Sequence, residues 1–183
     1  MPEIADRYAR LADEFTRTVA AVPPDRWQSP SPCAGWTALD VVRHVVDSHV
    51  MQLGLADREP GAGPSVDEDP LGAVQAVKAS VHADLEDPKR AAATVQGPAG
   101  QTVFEQSIDT FLNFDLVIHR WDLARAAGLD ERIAKSDVHW AAGVAESFGG
   151  FIRADGVCGP EQTPPPGADE QTRLLAYVGR QAW

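Results

Sequence analysis

Cysteine is scarce in this sequence: 183 residues hold two, Cys33 and Cys158, far apart and without C-x-x-C pairing. A paired-cysteine zinc or redox motif is therefore absent, and in a reducing compartment both are expected to be free thiols. No apolar run approaches the ~18 to 20 residues that span a bilayer. The opening segment, Met1 to Arg10, is charged rather than shaped like a secretory signal, so the expected location is the cytoplasm. Basic residues are also few, 16 against 27 acidic, and they gather nowhere into a patch. The formal net charge of −11 argues against nucleic acid and anionic membranes as partners.

Against these absences, 44% of the residues are apolar and 23% charged, the balance of an ordinary globular chain. The length fits a single domain over residues 1–183. From Ile4 to Val22 the apolar residues Ile4, Tyr8, Leu11, Phe15, Val19 and Val22 recur every three or four positions, which predicts a helix ended by Pro23 and Pro24. Thr37 and Asp40 form an S/T-x-x-D/E start for a second helix running to about Ala56. The Pro- and Gly-rich stretch Arg58 to Pro70 reads as a surface loop, long enough to allow a crossover, and a third helix is expected over Leu71 to Leu85. Thr94 to Phe104 reads as a short β-hairpin turning at Gly97-Pro98-Ala99-Gly100, or as a plain loop.

The longest periodic segment is Val103 to Ala127, with Phe104, Ile108, Phe111, Leu112, Asp115, Ile118, His119 and Asp122 on one stripe and Gly128 as the stop. One more helix is expected over Ala134 to Ile152, and a short terminal one near Asp169 to Val178. The fold class is therefore all-α, a four-helix bundle with one or two short extra helices and a small hairpin.

On the central stripe Asp115 and His119 stand four residues apart, within reach of one common atom. A carboxylate and an imidazole at core-facing positions need compensation, because leaving them unpaired costs several kcal/mol. One solution is each other, as a hydrogen-bonded pair. The other is a divalent metal, if a facing helix supplies a further ligand. His44, set among Val41, Val42, Val45 and Val46, is the candidate. His49 projects about 140° away around the same helix, and His82 and His139 have the neighbours of surface histidines. Two histidines and one carboxylate leave coordination positions open, with zinc the default and nickel, manganese and iron(II) compatible. No H-E-x-x-H motif is present, which disfavours a zincin-type peptidase.

Around these residues the sequence resembles a known family. Ser31-Pro32-Cys33-Ala34-Gly35-Trp36-Thr37-Ala38-Leu39-Asp40 followed by His44 is similar to the P-C-x-x-W-T…H segment of the DinB/YfiT-like metalloproteins. Asp115 to Ala124 resembles that family's acid-x-x-x-His-x-Trp-Asp-Leu-Ala segment, and Leu174 to Arg180 is similar to the closing segment of its smaller actinobacterial members. The resemblance implies a helical bundle whose acid and two histidines share a divalent metal, related to the N-terminal domain of mycothiol-dependent maleylpyruvate isomerase. It further implies mycothiol or a similar low-molecular-weight thiol as cosubstrate and a small electrophile as its target, in S-transfer or isomerisation. Two departures stand out: the carboxylate is Asp115 where the isomerase has Glu, and the isomerase carries an extra C-terminal region. The segment around Cys33 and Trp36 is expected to be structural, with Trp36 packing at the helix start. Asp122 is a candidate to orient a ligand, or equally a plain salt bridge.

Three alternatives stay open at this point. A hydrolase would use metal-activated water, a non-catalytic bundle would only bind a metal or small ligand, and an interaction module would form a homodimer through an exposed helix face.

Overall fold

The computed structural model describes residues 2–97, 100–154 and 156–183. Helix α1 spans Pro2–Ala21 and buries Tyr8, Leu11, Phe15 and Val19, the face that its three- and four-residue spacing predicts. A single 3-10 turn, Pro24–Arg26, follows it. Helix α2 (Ala38–Gly54) begins with the expected capping box: the Thr37 hydroxyl accepts from the Asp40 amide, and the Asp40 carboxylate accepts from the Thr37 amide. Helix α3 (Pro70–Glu86) is started by Asp69, whose side chain accepts from the Gly72 amide.

A one-turn helix α4 (Pro88–Ala91) leads into an antiparallel hairpin, β1 (Thr94–Gly97) with β2 (Gly100–Val103), in which Thr94 pairs with Val103 and Gly97 with Gly100. The hairpin expectation holds in its strands, while the turn residues Pro98 and Ala99 lie outside the described residues. The central segment is continuous from Phe104, but not uniform. Helix α5 (Phe104–Ser107) passes through a π turn (Ile108–Asn113) into α6 (Phe114–Ala127), which ends on left-handed Gly128 at φ 72°.

Helices α1 and α2 each pack against both α3 and α6, which closes the four-helix bundle with α1 diagonal to α2 and α3 diagonal to α6. The diagonal crossings are thus made by the 22–37 and 87–113 connections. The long Arg58 to Pro70 loop joins adjacent helices instead. Beside the bundle lie α7 (Lys135–Ser147), a 3-10 segment (Gly149–Arg153) and α8 (Glu170–Tyr177). The single helix expected over Ala134 to Ile152 is broken because Gly149 takes φ 52°, a conformation glycine reaches without strain.

The core gathers Trp121, Tyr8, Phe15, Phe104, Leu112 and Leu123, all essentially without solvent contact. No described helix is long and apolar enough to cross a membrane.

Candidate metal centre

Three side chains from two facing helices converge at one end of the α2–α6 contact. His44 Nε2 stands 3.2 Å from Asp115 Oδ2, and His119 Nε2 3.8 Å from Asp115 Oδ1. One ligand atom from each residue lies within 4.8 Å of the other two, an arrangement able to hold a metal ion. A tetrahedral ion bound at ~2.05 Å keeps its ligand atoms about 3.3 Å apart, so the observed separations bracket what a zinc-sized cation requires. His119 is 8% exposed at its side chain, against 34% for His44 and 28% for Asp115, so the open side of the group lies over the latter two.

Neighbouring residues hold the three in place. Trp36 lies against both imidazoles, its ring centre 5.0 Å from that of His44 and 6.1 Å from that of His119. The loop that carries it is folded by a tight turn, with the Trp36 amide on the Cys33 carbonyl and Gly35 at φ 80°. Trp36 therefore does more than pack at the helix start: it is a wall of the site. Ser48, one turn after His44, donates its hydroxyl to Asp115 Oδ2 at 3.0 Å. Its spacing from His44 was the available signal, and sequence reasoning passed over it.

Asp122 is wholly buried and accepts from His119 Nδ1 at 3.0 Å. Because a carboxylate only accepts, Nδ1 carries the proton and Nε2 is left free to face Asp115 and His44. This is the carboxylate–histidine support found behind metal-bound imidazoles. Asp122 also receives the Arg180 guanidinium, Nη2 to Oδ2 at 2.9 Å and Nε to Oδ1 at 3.3 Å. Burial pushes the Asp122 carboxyl up, but the His119 hydrogen bond and the Arg180 charge outweigh it and hold it at about 2.

At Asp115 burial likewise acts upward, and the hydrogen bond from His44 together with the charges of both imidazoles keeps the carboxylate below its ordinary value. At His44 burial acts downward, and the hydrogen bond and charge of Asp115 prevail, raising its pKa.

Cys33, His119 and Asp122 form a second group with metal-like spacing. Its chemistry does not suit a cation, since Arg180 Nη2 already sits 3.2 Å from Cys33 Sγ and 2.9 Å from Asp122 Oδ2. The Cys33 thiol donates to Asp122 at 3.3 Å, and burial together with the Asp122 charge pushes its pKa up to about 12. A protonated, shielded thiol is a poor nucleophile. The remaining histidines stand apart: His49 is buried on the far side of α2, His82 is half-buried beside Glu86, and His139 is exposed.

Asp115 and His119, though not His44, border a cavity of about 70 Å³ whose other walls include Phe114, Ile118, Cys158 and Arg180. Phe111, Phe148 and Phe151 separate this space from a second cavity of about 330 Å³, whose other walls are uncharged hydrogen-bonding residues such as Gln101, Thr102, Gln106 and Thr110. Arg180 and Cys158 were not foreseen as site residues, because nothing in the spacing of a C-terminal arginine signals a carboxylate on another helix.

With this geometry in place, comparison with known proteins gives a consistent picture. Two uncharacterised proteins of Mycobacterium tuberculosis, from strains CDC 1551 / Oshkosh and H37Rv, are each 32% identical over 180 residues, covering 94% of this chain and 95% of theirs. No solved structure gives a significant match. The model of the mycothiol maleylpyruvate isomerase N-terminal domain matches residues 8–124, which include His44, Asp115 and His119, and the chain belongs to that family.

Proposed function

We propose that this protein binds a divalent metal, zinc by default, through His44, Asp115 and His119, and uses it to take up a low-molecular-weight thiol of the mycothiol type for S-transfer to, or isomerisation of, a small electrophile. The observation that carries this reading is the convergence of three donor atoms within 4.8 Å of one another, two of them, on Asp115 and His119, bordering a cavity. Membership of the mycothiol maleylpyruvate isomerase N-terminal domain family supplies the thiol. A metal in this position would favour the thiolate form of a coordinating thiol.

The chain's own residues have separable parts in this scheme. His44 and His119 offer neutral imidazole nitrogens, and Asp115 offers charge. Asp122 fixes the His119 ring, Trp36 limits how far either ring can swing, and Ser48 orients the carboxylate. The phenylalanines around the cavity restrict water, which strengthens every charge interaction inside it. The uncharged polar walls of the adjoining cavity suit the body of a neutral, hydroxyl-rich thiol.

Elemental analysis of the purified protein beside His44→Ala and His119→Ala tests the metal. About one equivalent is expected in the parent and a large loss in each variant. Calorimetric titration of the metal-loaded protein with mycothiol tests the thiol. An absence of binding, together with no turnover across a panel of small electrophiles, would refute the enzymatic reading.

A further inference from the structure

Arg180 has no part in holding a cation, yet it is the one buried positive side chain among the described residues. It stands three residues after the end of α8, where Gly179 at φ 87° crosses Gly159 so closely that an added Cβ would lie 2.9 Å from that backbone. This crossing delivers the guanidinium into the interior. There it donates to Asp122, to Cys33 Sγ at 3.2 Å and to the Val178 carbonyl at 2.7 Å, while bordering the same cavity as Asp115 and His119.

We propose that Arg180 is a specificity-determining residue, setting the net charge of the site so that the molecule completing it must be a monoanion, such as a thiolate. The proposal rests on the metal reading above and adds to it the charge of the ligand. In the buried part of the site a divalent cation and Arg180 together carry three positive charges, and Asp115 and Asp122 carry two negative ones. One positive charge is left uncompensated. Both imidazoles are neutral when ligating, and Asp47, which also acts on His44, is exposed and screened by solvent.

A site lacking Arg180 would be neutral and would hold water as readily as an anion. With Arg180 it gains from one negative charge and no more, since a dianion would restore an imbalance of the opposite sign in a poorly solvated space. The Asp122–Arg180 pair thus has two effects of different kind. Asp122 orients His119, and Arg180 acts through space on whatever enters the cavity.

The test uses the full chain loaded with Co²⁺, whose visible absorption reports ligand exchange, after metal content is measured in each sample. The parent, Arg180→Lys, Arg180→Met and Asp122→Asn are titrated with azide as the monoanion and with imidazole as the neutral control. Azide affinity should fall at least about tenfold in Arg180→Met, imidazole affinity should change less than about threefold, and Arg180→Lys should recover most of the azide affinity. Asp122→Asn should bind azide more tightly than the parent, a sign that structural damage would not produce, and it decides the matter if Arg180→Met does not fold. Equal losses for azide and imidazole, or azide affinity in Arg180→Met within about twofold of the parent, would overturn the inference alone. A parent protein that takes up no cobalt would overturn the metal reading, and this inference with it.

Discussion

His49 makes the stability of this protein depend on pH. It is enclosed in α2, its ring centre 5.9 Å from that of Tyr8, with Nδ1 donating to the Val45 carbonyl at 2.7 Å. Its Nε2 is buried and has no hydrogen-bond partner among the described residues, so a second proton would find no acceptor. Desolvation is the main cause that lowers its pKa to about 4, against an ordinary value of 6.5, with the Val45 carbonyl and the Asp115 charge acting weakly the other way. The folded value lies below the unfolded one, so between pH 6.5 and about 4 the unfolded chain binds a proton that the folded chain refuses. Stability must therefore fall as pH falls through that window. A gap of about 2.5 in pKa corresponds to about 3 kcal/mol at ~1.36 kcal/mol for each unit, a sizeable share of the 5 to 15 kcal/mol typical of a domain. His49→Phe keeps a ring in the space and removes the titration. Urea unfolding of both proteins in chelator, in steps from pH 7 to pH 4, should show the variant gaining about 3 kcal/mol on the parent across the range. Groups common to both cancel in that difference, so parallel curves would refute the argument.

Three further outcomes are expected. Thr37→Ala removes the capping-box acceptor at the start of α2 and should cost about 1 kcal/mol, read as a fall of roughly 2 to 4 °C in Tm. Gly179→Ala places a Cβ against the Gly159 backbone at a residue with φ 87°, so it should destabilise by more than about 1 kcal/mol in thermal melts and weaken azide binding by the cobalt form through misplacing Arg180. Zinc at a thousandfold excess over its Kd should raise stability by about 4 kcal/mol, an increment reversed by chelator and missing in His119→Ala; equal melts with and without zinc would count against the proposed site.

Local pattern carried much of this fold. The α1 stripe, the Thr37–Asp40 cap, the Gly128 stop and the spacing of Asp115 with His119 are signals contained within a few residues, and each appears in the structure where its chemistry requires. What escaped depends on contacts distant in sequence. The π turn Ile108–Asn113 changes the phase of the central helix, so Phe111, expected on the core stripe, instead borders both cavities. Asn113 becomes fully buried and donates to Asp109, which also receives Arg7 of α1 at 2.7 Å. A uniform 3.6-residue period cannot anticipate such an insertion, because the clamp that stabilises it comes from another helix. The same holds at Asp122, where a helix residue, a loop thiol and a C-terminal arginine meet across separations of 58 and 89 positions.

These separations bear on how the site divides its labour. The family match ends at residue 124, so it contains all three proposed metal donors, the Trp36 wall and Asp122. Arg180, Cys158, Phe148 and Phe151 lie beyond it, on the segment that packs beside the bundle rather than within it. If the bundle supplies the cation and the later segment supplies the charge and shape seen by the incoming molecule, the two can vary independently: a changed C-terminal segment would redirect the same metal to a different ligand. Exchanging residues 125–183 for those of one of the mycobacterial relatives should then leave metal content unchanged while altering which thiols and anions bind. A chimera that folds but loses its metal would show instead that the donors depend on the whole chain, and that no such division exists.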